Sequence, residues 1–145
     1  MPSVEDFLSP EQEKAIVAAI VDAEKTTSGE IRVHLEAHYN GVHFERAKSL
    51  FHSLKMGNTK EENGVLIYVA VLDKKFVILG DAGINKVVPP NFWNSTKDLM
   101  TKHFKREQFT AGIIAGIKEA GVQLATHFPW DTNDTNELSN EVSKG

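Results

Sequence analysis

The stretch GVLIYVAVLDKKFVILG, Gly64 to Gly80, decides the fold. Its first nine residues are almost all apolar, with Val, Ile and Tyr prominent, which suits a strand buried on both faces at the centre of a sheet. Asp73, Lys74 and Lys75 are too few and too polar for anything but a tight turn, so the apolar run Phe76–Leu79 returns as the second arm of a hairpin. Working upstream, EIRVHLEAHY (Glu30–Tyr39) alternates: Ile31, Val33 and Leu35 fall on one face, Arg32, His34 and Glu36 on the other. That pattern predicts a half-buried first strand, with His34, Glu36 and His38 facing solvent. Between the two strands, NGVHFERAKSLFHSLKMG has helical spacing, with Phe44, Ala47, Leu50, Phe51 and Leu54 as its buried side. A strand–helix–strand unit makes the first and second strands parallel, and the hairpin makes the third antiparallel.

The flanks are helical. Ser9, Pro10 and Gln12 form a helix start with a capping box, followed by Ile16, Val17, Ile20 and Ala23 on one face. Downstream, a helix is expected from the prolines at 89 and 90, with Phe92, Leu99, Met100, His103 and Phe104 as a buried stripe. A last helix carries Phe109, Ile113, Ile114, Ile117, Val122 and Leu124, and Gly112 and Gly116 permit close approach to the sheet or to another helix. Residues 131–145 have little to bury and read as a disordered polar tail. The expected architecture is a three-layer α/β/α sandwich with a small mixed central sheet, in one domain over residues 9–130.

Composition narrows the function. The 145 residues carry a formal net charge of -4 and no cysteine. An acidic chain lacks the basic face of a general nucleic-acid binder, and without cysteine there is no disulfide scaffold, thiolate metal site or cysteine nucleophile. The N-terminal MPSVEDFLSPEQEK has acids where a secretory signal has a basic start and an apolar run, and no run is long enough to span a membrane. The expectation is a cytoplasmic monomer.

Strand direction places three unusual segments together. The first strand begins at Ser28, Gly29 and Glu30. The parallel second strand begins at the same end, after Glu61, Glu62 and Asn63. The descending third strand finishes there, on Gly80, Asp81, Ala82 and Gly83. Acids, amides and glycines on one edge suit a hard cation such as calcium or magnesium, which takes oxygen ligands. The same residues also make ordinary turns.

TSGEIRVHLEA, FHSLKMGNTKEENGVLIYVAVLDKKFVILGDAGI, the VVP…FW…LMTKHFKREQFTAGI pattern and the closing GVQLATHFP together resemble the TPM domain family, from about Ser9 to Pro129. The resemblance implies an α/β/α sandwich with a divalent-metal site, calcium in some members, at the loops of one sheet end. It points to Glu30, Glu62, Asn63 and Asp81 as ligands. Many members carry an export signal and a membrane segment; neither pattern is in this sequence, which reads as a stand-alone domain. The function implied is non-catalytic binding or assembly with an unknown protein partner. Two alternatives stand beside it: a metal-dependent acid phosphatase of low activity, as associated with plant lumenal members, and a metal-free interaction domain.

Overall fold

The computed structural model describes residues 7–130 and 138–145. Strand β2 (Gly64–Ala70) is buried at every position, as its apolar run requires. Parallel β1 (Glu30–Glu36) lies on one side, in the register Glu30↔Gly64 to Glu36↔Ala70. Antiparallel β3 (Lys75–Gly80) lies on the other, from Val65↔Gly80 to Ala70↔Lys75. Helix α2 (His43–Ser53) joins β1 to β2.

Each face of the sheet has its own core. Ile31, Val33, Leu35, Val65, Ile67, Val69 and Ile78 pack against α1 (Pro10–Glu24), α4 (Asn94–Lys105) and α5 (Phe109–His127). Leu66, Tyr68 and Ala70 pack on the opposite face against Ala47 and Leu50 of α2 and against Met56, whereas Phe44, expected on the buried side of α2, is 49% exposed. At about 1.5–3 kcal/mol for each fully buried aliphatic side chain, these two layers dominate the stabilisation. Among the described residues, no helix is long and apolar enough to cross a membrane.

The local signals for α1 hold in detail. Ser9 Oγ accepts from Gln12 N at 3.1 Å while Ser9 N donates to Gln12 Oε1 at 2.8 Å, and Pro10 occupies the first turn, where a missing N–H costs nothing. The helix expected at the prolines begins instead at Asn94, because residues 89–93 close short turns: Phe92 N donates to Pro89 O and Asn94 N to Asn91 O, each at 3.1 Å. The partner of the two glycines is α4, not the sheet. A Cβ at Gly116 would stand 2.6 Å from Met100 Sδ, and one at Gly112 would stand 2.8 Å from Phe104 Cδ1. This close approach turns the face bearing Ile113, Ile117 and Leu124 inward and leaves Val122 at 66% exposure, against the sequence reading.

Two further expectations need correction. Strand β1 is not half-buried: His34 and Glu36 are 2% and 3% exposed, because α2 and the C-terminus cover that face. The expected disordered tail does not hold for residues 138–145; residues 131–137 lie outside the described residues. Leu138 and Val142 are buried, and Ser143–Lys144 form β4, parallel to β1, in the sheet order β3-β2-β1-β4. The anchors are distant in sequence. Leu138 N donates to Glu30 Oε1 at 2.8 Å, Gly145 N to Leu35 O at 2.9 Å, and Lys144 Nζ meets Glu13 Oε1 at 2.6 Å. Ending the chain at residue 137 is expected to lower stability by about 1–2 kcal/mol, the surplus left when two buried side chains offset the entropy of ordering the segment. Urea unfolding checks this, and an unchanged midpoint would show that the segment is not docked in solution.

Candidate functional site

The three acidic and amide-rich segments meet at the end of the sheet where β1 and β2 begin and β3 finishes, the lower edge. Glu30 N donates to Asn63 O at 3.3 Å, Asp81 N to Gly64 O at 2.9 Å, and Gly83 N to Glu62 O at 2.9 Å. Side chains reinforce the junction: Ser28 Oγ donates to Glu61 Oε2 at 2.7 Å, and Asn63 Nδ2 donates to both, at 3.2 Å to Ser28 Oγ and 3.0 Å to Glu61 Oε2.

Each residue singled out from the sequence has a distinct position here. Asp81 caps a one-turn helix, α3 (Ala82–Asn85), with Oδ1 accepting from Ala82 N at 2.7 Å. That is why an apolar strand ends on a carboxylate: the strand stops where a helix must be capped. The other oxygen, Oδ2, is buried and accepts no hydrogen bond. Glu30 is 3% exposed and stands across Gly64 from Asp81, since Gly64 pairs with Glu30 on one side and bonds Asp81 N on the other. Asn63 is 1% exposed and ties the loops together. The Glu62 side chain is exposed, and its backbone takes the left-handed φ of 51°, which turns its carbonyl to Gly83. Gly83 has to be glycine, because a Cβ there would overlap the carbonyl oxygens of Glu61 and Glu62.

These donors are all oxygens, and an unsatisfied carboxylate oxygen sits among them, which fits a hard cation. Among the described residues no group of three or more His, Cys, Asp or Glu side chains could hold a metal ion. A cation here would therefore rely on main-chain carbonyls and water beside the carboxylates.

A second polar cluster, built on the His34 and Glu36 that the sequence reading left facing solvent, lies at the opposite end of β1. Glu36 receives Arg46 of α2 through Nη2 at 2.8 Å and Nε at 3.2 Å, and the Tyr68 hydroxyl also donates to it. His34 Nε2 lies 3.1 Å from Glu36 Oε1, and its Nδ1 lies 2.9 Å from Ser143 Oγ. A carboxylate can only accept, so Nε2 carries the proton and Nδ1 accepts from the serine. Burial alone would raise the Glu36 pKa, but the hydrogen bonds from Arg46, Tyr68 and His34 outweigh it and hold the carboxyl below its usual range. Burial lowers the His34 pKa despite the neighbouring carboxylate, so the ring stays neutral. Beside this cluster, Asp73 accepts from His38 Nδ1 at 2.5 Å, His43 Nε2 at 2.7 Å and Tyr39 N at 2.9 Å, and these bonds keep its carboxyl well below the usual range. The one sequence clue was charge at a regular strand spacing, which solvated strands share.

The family model for the TPM domain matches residues 3–123. The NMR structure of BA42 protein from the psychrophilic bacterium Bizionia argentinensis is 56% identical, with a TM-score of 0.93 and full coverage of both chains. The N-terminal domain of cg2496 protein from Corynebacterium glutamicum, at 14% identity and a TM-score of 0.66 over 89% of this chain and 80% of that one, shares the fold. Comparison with curated proteins finds no match.

Proposed function

The chain belongs to the TPM domain family, and on that premise we propose that it binds a divalent cation, calcium in preference, at the lower sheet edge and serves as a binding or assembly module without catalysis. The observation that carries this reading is Asp81 Oδ2, a buried carboxylate oxygen with no hydrogen bond in a setting of oxygen donors. Leaving such an atom unsatisfied costs free energy that a cation would offset. Asp81 and Glu30 would supply carboxylates, Glu62 its main-chain carbonyl, and Asn63 the order of the loops. Calcium suits this set better than magnesium, because it accepts six to eight oxygens in irregular geometry. Bound there, the ion would tie three loops into one arrangement that a protein partner reads. Binding is favoured over hydrolysis by charge: Glu30, Glu61, Glu62 and Asp81 repel the negative charge of a phosphate ester.

Amide NMR spectra recorded while calcium and then magnesium are added to metal-stripped protein test the proposal. Saturable shifts are expected at Glu30, Glu62–Gly64 and Gly80–Gly83, and Asp81→Asn, which keeps the helix cap, should abolish them. No shift at millimolar calcium would sink the reading. Hydrolysis of p-nitrophenyl phosphate by the native chain, lost in Asp81→Asn, would replace it with the phosphatase.

A further inference from the structure

At the end of the sheet opposite the acidic edge, a cleft of about 600 Å³ opens between the β2–β3 turn and the α4–α5 turn. Pockets of roughly 300–1,000 Å³ are the usual size for small ligands. Its floor is apolar: Val71 and Phe76 face Phe104 and Phe109. Phe104 meets Phe76 edge-on at 5.5 Å and stacks on Phe109 at 6.0 Å. The Phe104 ring is set in place from behind, because its edge occupies the space a side chain at Gly112 would fill.

The rim has the opposite character. Lys74, Lys75 and Lys105 line it, against the single carboxylate of Glu107. On a chain of net charge -4, this is a local concentration of cations. Nearby Asp73 is engaged by His38 and His43. Both walls are turned by a non-glycine residue in the left-handed region, Lys74 at φ 54° and Glu107 at φ 58°. Lys74 closes the hairpin, and Glu107 ends α4, where Glu107 N donates to Phe104 O and Gln108 N to His103 O, each at 3.0 Å.

We propose that this cleft binds a small amphipathic carboxylate, its apolar chain on the phenylalanine floor and its head group among Lys74, Lys75 and Lys105. Charge complementarity selects an anion, since lysine stems extend over apolar surface while their ammonium groups stay at the rim. The proposal is independent of the cation site at the other end of the sheet.

The test is an NMR titration of the full chain with decanoate below its micellar concentration, beside decanol and decyltrimethylammonium. Saturable decanoate shifts are expected at Val71, Phe76, Phe104 and Phe109, with the neutral and cationic analogues weaker by about tenfold or more. The triple variant Lys74→Glu/Lys75→Glu/Lys105→Glu should weaken decanoate by about tenfold or more while its thermal midpoint stays near the native value. Shifts centred elsewhere, equal affinity for all three ligands, or native affinity in the triple variant would each overturn the proposal. Should the triple variant unfold, Lys105→Gln alone, at the exposed end of α4, gives the same comparison in smaller measure.

Discussion

Replacing Arg46 with methionine is expected to destabilise the protein by about 3–5 kcal/mol, because it leaves the Glu36 carboxylate buried without its counter-charge. The thermal midpoint should fall by about 10 °C for a domain of this size. Methionine keeps much of the length and apolar stem, so the loss reports the charge and not the packing. Glu36→Gln combined with Arg46→Met should recover more than half of it, since a neutral amide still accepts from Tyr68 without needing a cation. The pH dependence has a definite sign. The Glu36 pKa is lowered in the folded state, so its contribution is full above the ordinary carboxylate value of 4.5 and is lost as pH falls through the folded value. Without Arg46, burial raises the Glu36 pKa, so in the variant the carboxyl takes up a proton at higher pH and the penalty of Arg46→Met shrinks as pH falls from 7.5. His34 acts in the same direction: its lowered pKa favours the neutral ring, so stability falls as pH drops below the ordinary histidine value of 6.5. Urea unfolding at pH 7.5, 5.5 and 4 measures both effects. A penalty that stays constant across this range would refute the assignment of Glu36 as a buried anion. Calcium shifts at the lower edge should persist in Arg46→Met, because the two clusters stand at opposite ends of β1.

Alanine at position 83 is expected to cost about 3 kcal/mol, near the upper end for inserting one methyl group. The obstacle is backbone. The new Cβ would stand 2.6 Å from the Glu62 carbonyl oxygen and closer still to that of Glu61. A side-chain neighbour can change rotamer, whereas these carbonyls belong to the lead-in to the central strand. Relief requires α3 to move away, which also breaks the bond from Gly83 N to Glu62 O. The same displacement would separate Asp81 from the loop of Glu62 and Asn63, so calcium shifts should weaken along with stability. Gly116→Ala makes the control: its contact is the flexible Met100 side chain, and the loss should be smaller. Equal losses at both positions would contradict the distinction. Thermal unfolding and the calcium titration supply the two readouts.

The residues by themselves determined the elements whose causes are local. The capping box at Ser9 and Gln12, the apolar run of β2, the hairpin that follows it and the helical spacing of α2 and α5 each follow from contacts within a few residues of chain; the hairpin's turn, expected at Asp73–Lys75, falls at residues 71–74, with Lys75 already paired to Ala70. The direction of three strands, argued from their connections alone, brought Glu30, Asn63 and Asp81 to one edge. Whatever depended on distant partners was decided by tertiary structure. Ser143 and Lys144 are an ordinary polar pair until β1 offers them a free edge. Nothing near Leu138 in sequence shows that its amide meets Glu30, more than a hundred residues away. His34 and Glu36 carry the alternation of a solvated strand, and only Arg46, Tyr68 and Ser143, arriving from three other elements, make their burial affordable. A buried charge is stable only where its partners converge, and convergence belongs to the folded chain.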